Sequence, residues 1–193
     1  FLKKIYFRIN IKKNIPHGSG LGGGSSNAAN LLNFFNQKAF LRLSNKEIVK
    51  IATQIGFDVP ITLQRKNTFL TGKKEKILRL NNKLRLNLLI VYPNVICSTK
   101  KMYEKNNKFS SFKYDPRINR MNKKQLISLL KKEKNDLEAT VIKFHPIVGK
   151  IIDIMKVQNG CYFSRITGSG SACIGIFSNA KMAIYAQKMI KLK

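Results

Sequence analysis

The sequence predicts an α+β fold, and three observations predict it. Apolar residues recur at the helical period in several separate stretches, most clearly Ile48, Ile51, Ala52 and Ile55 behind Ser44-Asn45-Lys46-Glu47. Short strand-like runs stand between them and form a hairpin pattern in the second half, where Cys161 to Ile166 and Ala172 to Phe177 flank Thr167-Gly168-Ser169-Gly170-Ser171. Finally, 193 residues with 44% hydrophobic side chains can bury a sizeable core, as one large or two small domains. Strands and helices in this order argue for α+β layers over a doubly wound parallel sheet.

From the start of the chain, Ile5, Phe7, Ile9 and Ile11 alternate with Tyr6, Arg8 and Asn10, the pattern of a half-buried strand. That strand runs into a loop in which five glycines (Gly18, Gly20, Gly22, Gly23, Gly24) fall within seven residues. Ala28, Leu31, Leu32 and Phe35 then give a helix one buried stripe, with Ser25 or Ser26 as its N-cap. The second helix opens on a capping box at Ser44 and Glu47 and ends at Gly56. Thr68 to Thr71 and Ile77 to Leu80 read as short strands, and Leu86 to Tyr92 as a longer one closed by Pro93. The charged segment Lys73 to Lys83 marks a junction that divides residues 1–76 from 77–193. Residues Lys100 to Arg120 are polar and read as an exposed excursion. Helices are expected at Lys123 to Lys132, Leu137 to Lys143, Pro146 to Gln158 and Ala180 to Leu192. There is no internal repeat.

The chain begins at Phe1, inside a strand-like run, and is expected to lack its natural front end. No signal peptide is visible, and the most apolar run, Leu86 to Val91, is far too short to span a bilayer. A net charge of +28 invites a nucleic-acid reading. A binding face would cluster its bases, whereas here lysines spread along nearly the whole chain, the mark of a composition bias on exposed positions. Weak, salt-sensitive attraction to polyanions follows in any case. Cys97, Cys161 and Cys173 form no C-x-x-C, so reduced, largely buried thiols in a cytoplasmic protein are expected, without a zinc site.

The glycine loop leading into a helix suits phosphate. Glycine lets backbone N–H groups approach a ligand, and a helix start adds unpaired N–H groups and the positive end of its dipole. A flexible linker is the bland alternative, but linkers rarely stand between a strand pattern and a helix start. Gly18 to Gly23 satisfies G-x-G-x-x-G, yet two helices follow where a dinucleotide fold wants a second strand ending in an acidic residue. There is no G-K-[ST], and no H-R-D-type catalytic loop or D-F-G, so P-loop NTPases and protein kinases are excluded.

The string Pro16-His17-Gly18-Ser19-Gly20-Leu21-Gly22-Gly23-Gly24-Ser25-Ser26-Asn27-Ala28-Ala29 resembles the second motif of the galactokinase, homoserine kinase, mevalonate kinase and phosphomevalonate kinase superfamily. Within it, the triple glycine and Ser25 to Ala29 look most like the 4-diphosphocytidyl-2-C-methyl-D-erythritol kinase family. Gly56-Phe57-Asp58-Val59-Pro60 is similar to that family's G-A-D-V-P, and Asn135-Asp136-Leu137-Glu138 to its N-D-[LF]-E. Thr167 to Cys173 is similar to its S-G-S-G-S-A-C, so the likeness covers nearly the whole chain. It implies a two-domain α+β small-molecule kinase, with a ribosomal protein S5 domain 2-like N-terminal part (1–76) and a ferredoxin-like C-terminal part (77–193). It also implies the substrates ATP and 4-diphosphocytidyl-2-C-methyl-D-erythritol, phosphorylation of the latter's 2-hydroxyl, Mg²⁺, a cytoplasmic monomer or weak homodimer, and no specific nucleic-acid or membrane partner.

By this resemblance Pro16 to Ser26 wrap the ATP phosphates, with Ser25 or Ser26 offering a hydroxyl to phosphate or Mg²⁺. Individual glycines could equally serve loop geometry alone. Asp58 becomes the base that takes the acceptor's proton, and the competing reading of its residue type is a helix N-cap beside Pro60. Gly168, Ser169, Gly170 and Ser171 shape the acceptor or phosphate end of the cleft, or form a tight β-turn, or both. Asn135, Asp136 and Glu138 are expected to cap a helix that faces the cleft, and His145 to be a turn residue. His17 stands where the family varies. Three departures stand out: Phe57 replaces a small residue beside Asp58 and is expected to crowd it, and one glycine of the family's hairpin is missing around Gly72-Lys73-Lys74-Glu75. The third is that no residue here takes the role of the family's lysine partner to the catalytic aspartate, which lies in its front region. Rival readings are a mevalonate or homoserine kinase, a basic nucleic-acid-binding protein with a fortuitous glycine loop, and a truncated, inactive relic.

Overall fold

The computed structural model describes residues 6–38, 41–71, 76–80, 84–111 and 116–191. Its amino-terminal part is a layer of helices with one hairpin. Helix α1 (Gly23–Lys38) starts in the glycine run and buries Ala29 and Leu32. Helix α2 (Asn45–Ile55) opens on the expected capping box: Ser44 N–H donates to Glu47 Oε2 at 2.8 Å and the Ser44 side chain accepts from Glu47 N–H. Gly56 N–H donates to Ala52 O at 3.1 Å and closes it. Ile48 and Ala52 join Ala29, Leu32 and the buried Val59 of the one-turn helix α3 (Val59–Thr62) in one apolar cluster. Ile55, the last residue of α2, falls outside it and is exposed. Strands β1 (Thr68–Thr71) and β2 (Lys76–Arg79) pair antiparallel with Thr68 opposite Arg79. Gly72-Lys73-Lys74-Glu75 lie outside the described residues, as does most of the junction expected at 73–83.

The first expected strand is not formed over the described residues 6–11. Residues 6–14 are irregular and exposed: a strand needs a ladder partner, and neither described sheet includes this segment. Phe7 instead sits edge-on to Phe34 and Phe35 of α1, with ring centroids 6.3 and 4.9 Å away. Ser25 and Ser26 do not cap α1 either. The helix already takes in Gly23 and Gly24, so both serines stand in its first turn, and Ser26 N–H donates to Gly22 O at 2.9 Å.

The carboxyl-terminal part is a three-stranded antiparallel sheet with helices on it. It comprises β3 (Asn87–Val91), α4 (Thr99–Lys105), a 3-10 turn at Pro116–Arg120, α5 (Lys123–Lys132), α6 (Glu138–Phe144), α7 (Pro146–Lys156), β4 (Cys161–Ile166), β5 (Cys173–Phe177) and α8 (Ala180–Lys191). The strand order is β3-β5-β4, so the predicted hairpin forms and β5 takes the centre. Leu89, Cys173 and Phe177 face Val148, Ile152 and Met155 of α7 and Ala183 and Ala186 of α8 in the largest core. A Cβ at Gly175 would lie 2.8 Å from Met155 Cε, so glycine there lets α7 close on the sheet.

The segment 100–120 is not the bare excursion its polarity suggests. Ser98 caps α4 by accepting from Lys101 N–H, and Met102 and Ile118 are buried, so single apolar residues anchor an otherwise polar stretch. All three cysteines are free thiols; Cys97 and Cys173 are buried and Cys161 half-buried. No described helix is long and apolar enough to cross a membrane.

Candidate active site

Two glycine loops from opposite ends of the chain lock together and form one wall of a cleft of about 580 Å³. In the first loop Gly18, Gly20 and Gly22 all have positive φ, at 64°, 74° and 68°. Left-handed residues alternating along a loop are the kind of backbone that can turn successive N–H groups toward one anion. Gly20 is required for the packing of the loops: a Cβ there would run into the Thr167 carbonyl and stand 3.0 Å from Gly170 N. Gly22 faces the other way, where a Cβ would meet nothing within 4 Å. The N-terminus of α1 follows at once, with its first N–H groups outside the helical ladder and its dipole aimed at the same space.

The second loop completes the contact. Ala172 N–H donates to Ser19 O at 3.0 Å, and Thr167 Oγ1 donates to Gly20 O at 3.3 Å. Ser169 Oγ lies 2.8 Å from Thr99 Oγ1 of α4. Gly168 and Ser169 line the cleft, whereas Gly170 and Ser171 turn beneath it, where Ser171 is fully buried and donates to Val95 O. In the first loop, Pro16, His17, Gly18, Ser19, Gly20, Leu21, Gly22, Gly23, Gly24 and Ser25 all line the cleft. Ser26 does not; its Oγ accepts from Asn30 Nδ2 along the helix. Ser19 is 2% exposed, with its Oγ donating to Pro16 O at 2.7 Å, so its hydroxyl braces the loop.

Asp58 lines the same cleft from α3. It occupies the N-cap position, yet its side chain makes no capping hydrogen bond. The carboxylate is thus left facing the cleft. Helix α3 is held by other groups. Arg79 donates to Pro60 O and, at 2.6 Å each, to Ile61 O and Thr68 Oγ1, while Asn33 Nδ2 donates to Leu63 O at 3.1 Å. Thr62 Oγ1 donates to Ser25 O at 3.1 Å, which ties α3 to the first turn of α1. Burial of the Arg79 guanidinium pushes its pKa down from the ordinary value. Phe57, expected to crowd Asp58, is 72% exposed and does not line the cleft.

Lys12, Lys13, Asn27, Thr99 and Tyr103 also line the cleft and were not singled out from the sequence. The two lysines add positive charge to its lining, opposite in sign to a polyphosphate. Thr99 and Tyr103 arrive on α4, one helical turn apart, Tyr103 inside and Thr99 just ahead of the segment 100–120 that composition marked as an exposed excursion. The Ser98-Thr99-Lys100-Lys101 cap was the available signal. A second cleft of about 420 Å³ shares Tyr103 and Gly168 with the first and is lined also by Phe109, Asn135, Asp136 and Arg165.

Asn135, Asp136 and Glu138 do not cap α6, which starts behind Leu137 without a side-chain cap. Asn135 and Glu138 bond the backbone at the end of β4, and Asp136 accepts from Ser110 N–H and Oγ at 2.8 Å each. They thus form bridges between segments, Asn135 and Asp136 from the turn before α6 and Glu138 from its first residue. His145 sits between α6 and α7, a turn residue as expected.

Two family models match the chain: GHMP kinases N terminal domain over residues 1–66 and GHMP kinases C terminal over 119–190. Each covers one of the two glycine loops found here in contact. The chain belongs to the GHMP kinase family. Its curated relatives include proteins named 4-diphosphocytidyl-2-C-methyl-D-erythritol kinase from Caldicellulosiruptor bescii (34% identical over 96% of this chain and 65% of the relative) and Pelagibacter ubique (32%, over 97% and 65%). A third, from Anaplasma phagocytophilum, is 31% identical over 95% of this chain and 61% of the relative. Among solved structures, that of a 4-(cytidine 5'-diphospho)-2C-methyl-D-erythritol kinase superposes with a TM-score of 0.70 at 25% identity, over 94% of this chain and 65% of the other. The GHMP kinase fold is thus an α+β arrangement with N- and C-terminal parts, as the motifs implied. The chain spans 61 to 65% of the length of these three curated relatives.

Proposed function

We propose that the protein transfers the γ-phosphate of ATP to the 2-hydroxyl of 4-diphosphocytidyl-2-C-methyl-D-erythritol, a step toward isoprenoid precursors. The observation that carries this reading is the cleft in which a glycine-rich helix start and an uncapped aspartate face each other. Phosphoryl transfer asks mainly for positioning and charge neutralisation. Backbone N–H groups of residues 18–25 bind the phosphates, with Lys12 and Lys13 adding positive charge. The acceptor oxygen bonds to the γ-phosphorus, the bond from that phosphorus to the β–γ bridging oxygen breaks, and ADP leaves. Asp58 takes the hydroxyl proton. The second loop, Gly168 to Ser171, supports the first and closes the acceptor end of the cleft.

The fit of nucleotide to these residues rests on the open space in front of Gly22 and Gly24, where nothing lies within 4 Å of a built Cβ. Mg²⁺ would be held chiefly by the phosphate oxygens, with the Ser25 hydroxyl as the protein's contribution, and would neutralise charge on them. No group of three acidic, histidine or cysteine side chains suited to a metal occurs among the described residues. We further assign residues 1–76 and 77–193 to the two kinase parts, and the protein to the cytoplasm as a monomer or weak homodimer without a specific nucleic-acid partner.

The test is ADP release by the complete protein with ATP, Mg²⁺ and each of three acceptors: 4-diphosphocytidyl-2-C-methyl-D-erythritol, mevalonate and homoserine. Turnover is expected with the first alone. Preference for another acceptor would sink the substrate assignment. Absence of ATP binding together with salt-resistant nucleic-acid binding would overturn the kinase reading.

A further inference from the structure

The entry to the second glycine loop is held by two side chains that imitate a neighbouring strand. Among the described residues strand β4 pairs only with β5, which leaves the N–H and C=O of Ile166 directed at the other edge. Ile166 is 1% exposed, so both groups need partners there. Glu138 Oε2 accepts from Ile166 N–H at 2.9 Å, and Asn135 Nδ2 donates to Ile166 O at 3.4 Å and to Gly168 O at 2.8 Å. The spacing is what allows it. Asn135 Oδ1 accepts from Leu137 N–H at 3.0 Å, which folds the turn and brings residues three apart onto one side. From Gly168 the chain passes to the contacts with Ser19 and Gly20, so the hold on Ile166 and Gly168 is one step removed from the first glycine loop.

We propose that Asn135 and Glu138 are positioning residues for the phosphate cleft, holding residues 166–168 so that the second glycine loop fixes the first in its binding shape. The proposal rests on the reading of that cleft as an ATP site. Asn135 works through its amide N–H donors, and Glu138 through an oxygen acceptor. The two roles give opposite tolerance to near-isosteric change. Asn135→Asp keeps the acceptor for Leu137 N–H but sets a carboxylate oxygen against two carbonyls. Glu138→Gln keeps an acceptor for Ile166 N–H.

The experiment measures the affinity of the full chain for ATP with Mg²⁺ by calorimetry, alongside amide hydrogen exchange of residues 18–22 and 166–172. Asn135→Asp is expected to bind ATP about tenfold more weakly, the loss of one good hydrogen bond, and to exchange faster in both loops. Glu138→Gln is expected to bind within about twofold of the parent, and Glu138→Ala to resemble Asn135→Asp. Should Asn135→Asp fail to fold, Asn135→Ser carries the same test, since its hydroxyl can cap Leu137 but is too short to reach Gly168. Parental affinity and unchanged exchange in the Asn135 variants would overturn the proposal. So would exchange that rises evenly across the whole chain, the sign of general destabilisation. If the parent binds no ATP, the ATP reading falls, and the exchange of residues 18–22 still decides whether the hold reaches the first loop.

Discussion

At the scale of single residues, the uncapped Asp58 separates two roles that its residue type leaves open. A capping aspartate would bond N–H groups of α3, and it does not. Asp58→Asn keeps the size of the side chain and removes the proton acceptor, so turnover of the complete protein is expected to fall about 10²- to 10⁴-fold with ATP affinity nearly unchanged. Normal turnover would remove Asp58 from the base role. Two glycines of one loop are expected to respond differently to alanine. Gly20→Ala meets the second loop at a positive φ and should cost about 1–3 kcal/mol of stability. Gly24→Ala sits in a helical turn beside open space and should spare the melting temperature while weakening ATP binding. Thermal melts with ATP titrations separate the two. That the glycines and Asp58 line one cleft was legible from the motifs that hold them, since residue type alone left Asp58 open, and Thr99 and Tyr103 were not, because nothing in a threonine or tyrosine marks a cleft.

Among the elements, those with chemical punctuation were legible from sequence and those that depend on a distant partner were not. The capping box placed α2, and Lys123 to Lys132 forms α5 residue for residue. The alternation of residues 5–11 has the pattern of a strand and misled, because a strand exists only where another chain segment pairs with it, and residues 6–11 have no such partner among the described residues. Nor could composition show how α3 is anchored. Four residues make a helix that leaves its own carbonyls unpaired, and Arg79, Asn33 and Thr62 supply the donors. Arg79 reaches two of those carbonyls at once with a rigid fork, which a lysine cannot reproduce. Arg79→Met should therefore destabilise the fold by roughly 1–3 kcal/mol and speed exchange of amides 59–63, with Arg79→Lys only partly restoring both. A melting temperature unchanged in Arg79→Met would show that water serves these carbonyls equally well.

For the molecule as a whole, alkaline pH tests the largest core against the charge of the surface. Cys173 lies fully buried beneath that core's helices, and burial pushes its thiol from an ordinary value of 9.0 up to about 12. The folded state therefore keeps a proton that the unfolded chain gives up first, and stability falls as pH rises wherever the unfolded state holds fewer protons. The contribution is whole below about pH 9 and is lost progressively as pH climbs through the folded value near 12. Over much of that window the lysines lose charge, which relaxes the mutual repulsion of a chain carrying +28 and opposes the trend. A raw melting curve mixes the two effects. The difference between parent and Cys173→Ala isolates the thiol, since both share every lysine. The alanine variant should be less stable near pH 7, by the cavity it leaves, and the gap should narrow between pH 9 and 10.5 as only the parent carries the penalty. Melting temperatures of the two proteins at these pH values decide it. A gap that stays constant would mean that Cys173 meets solvent when the fold breathes and titrates as an ordinary thiol.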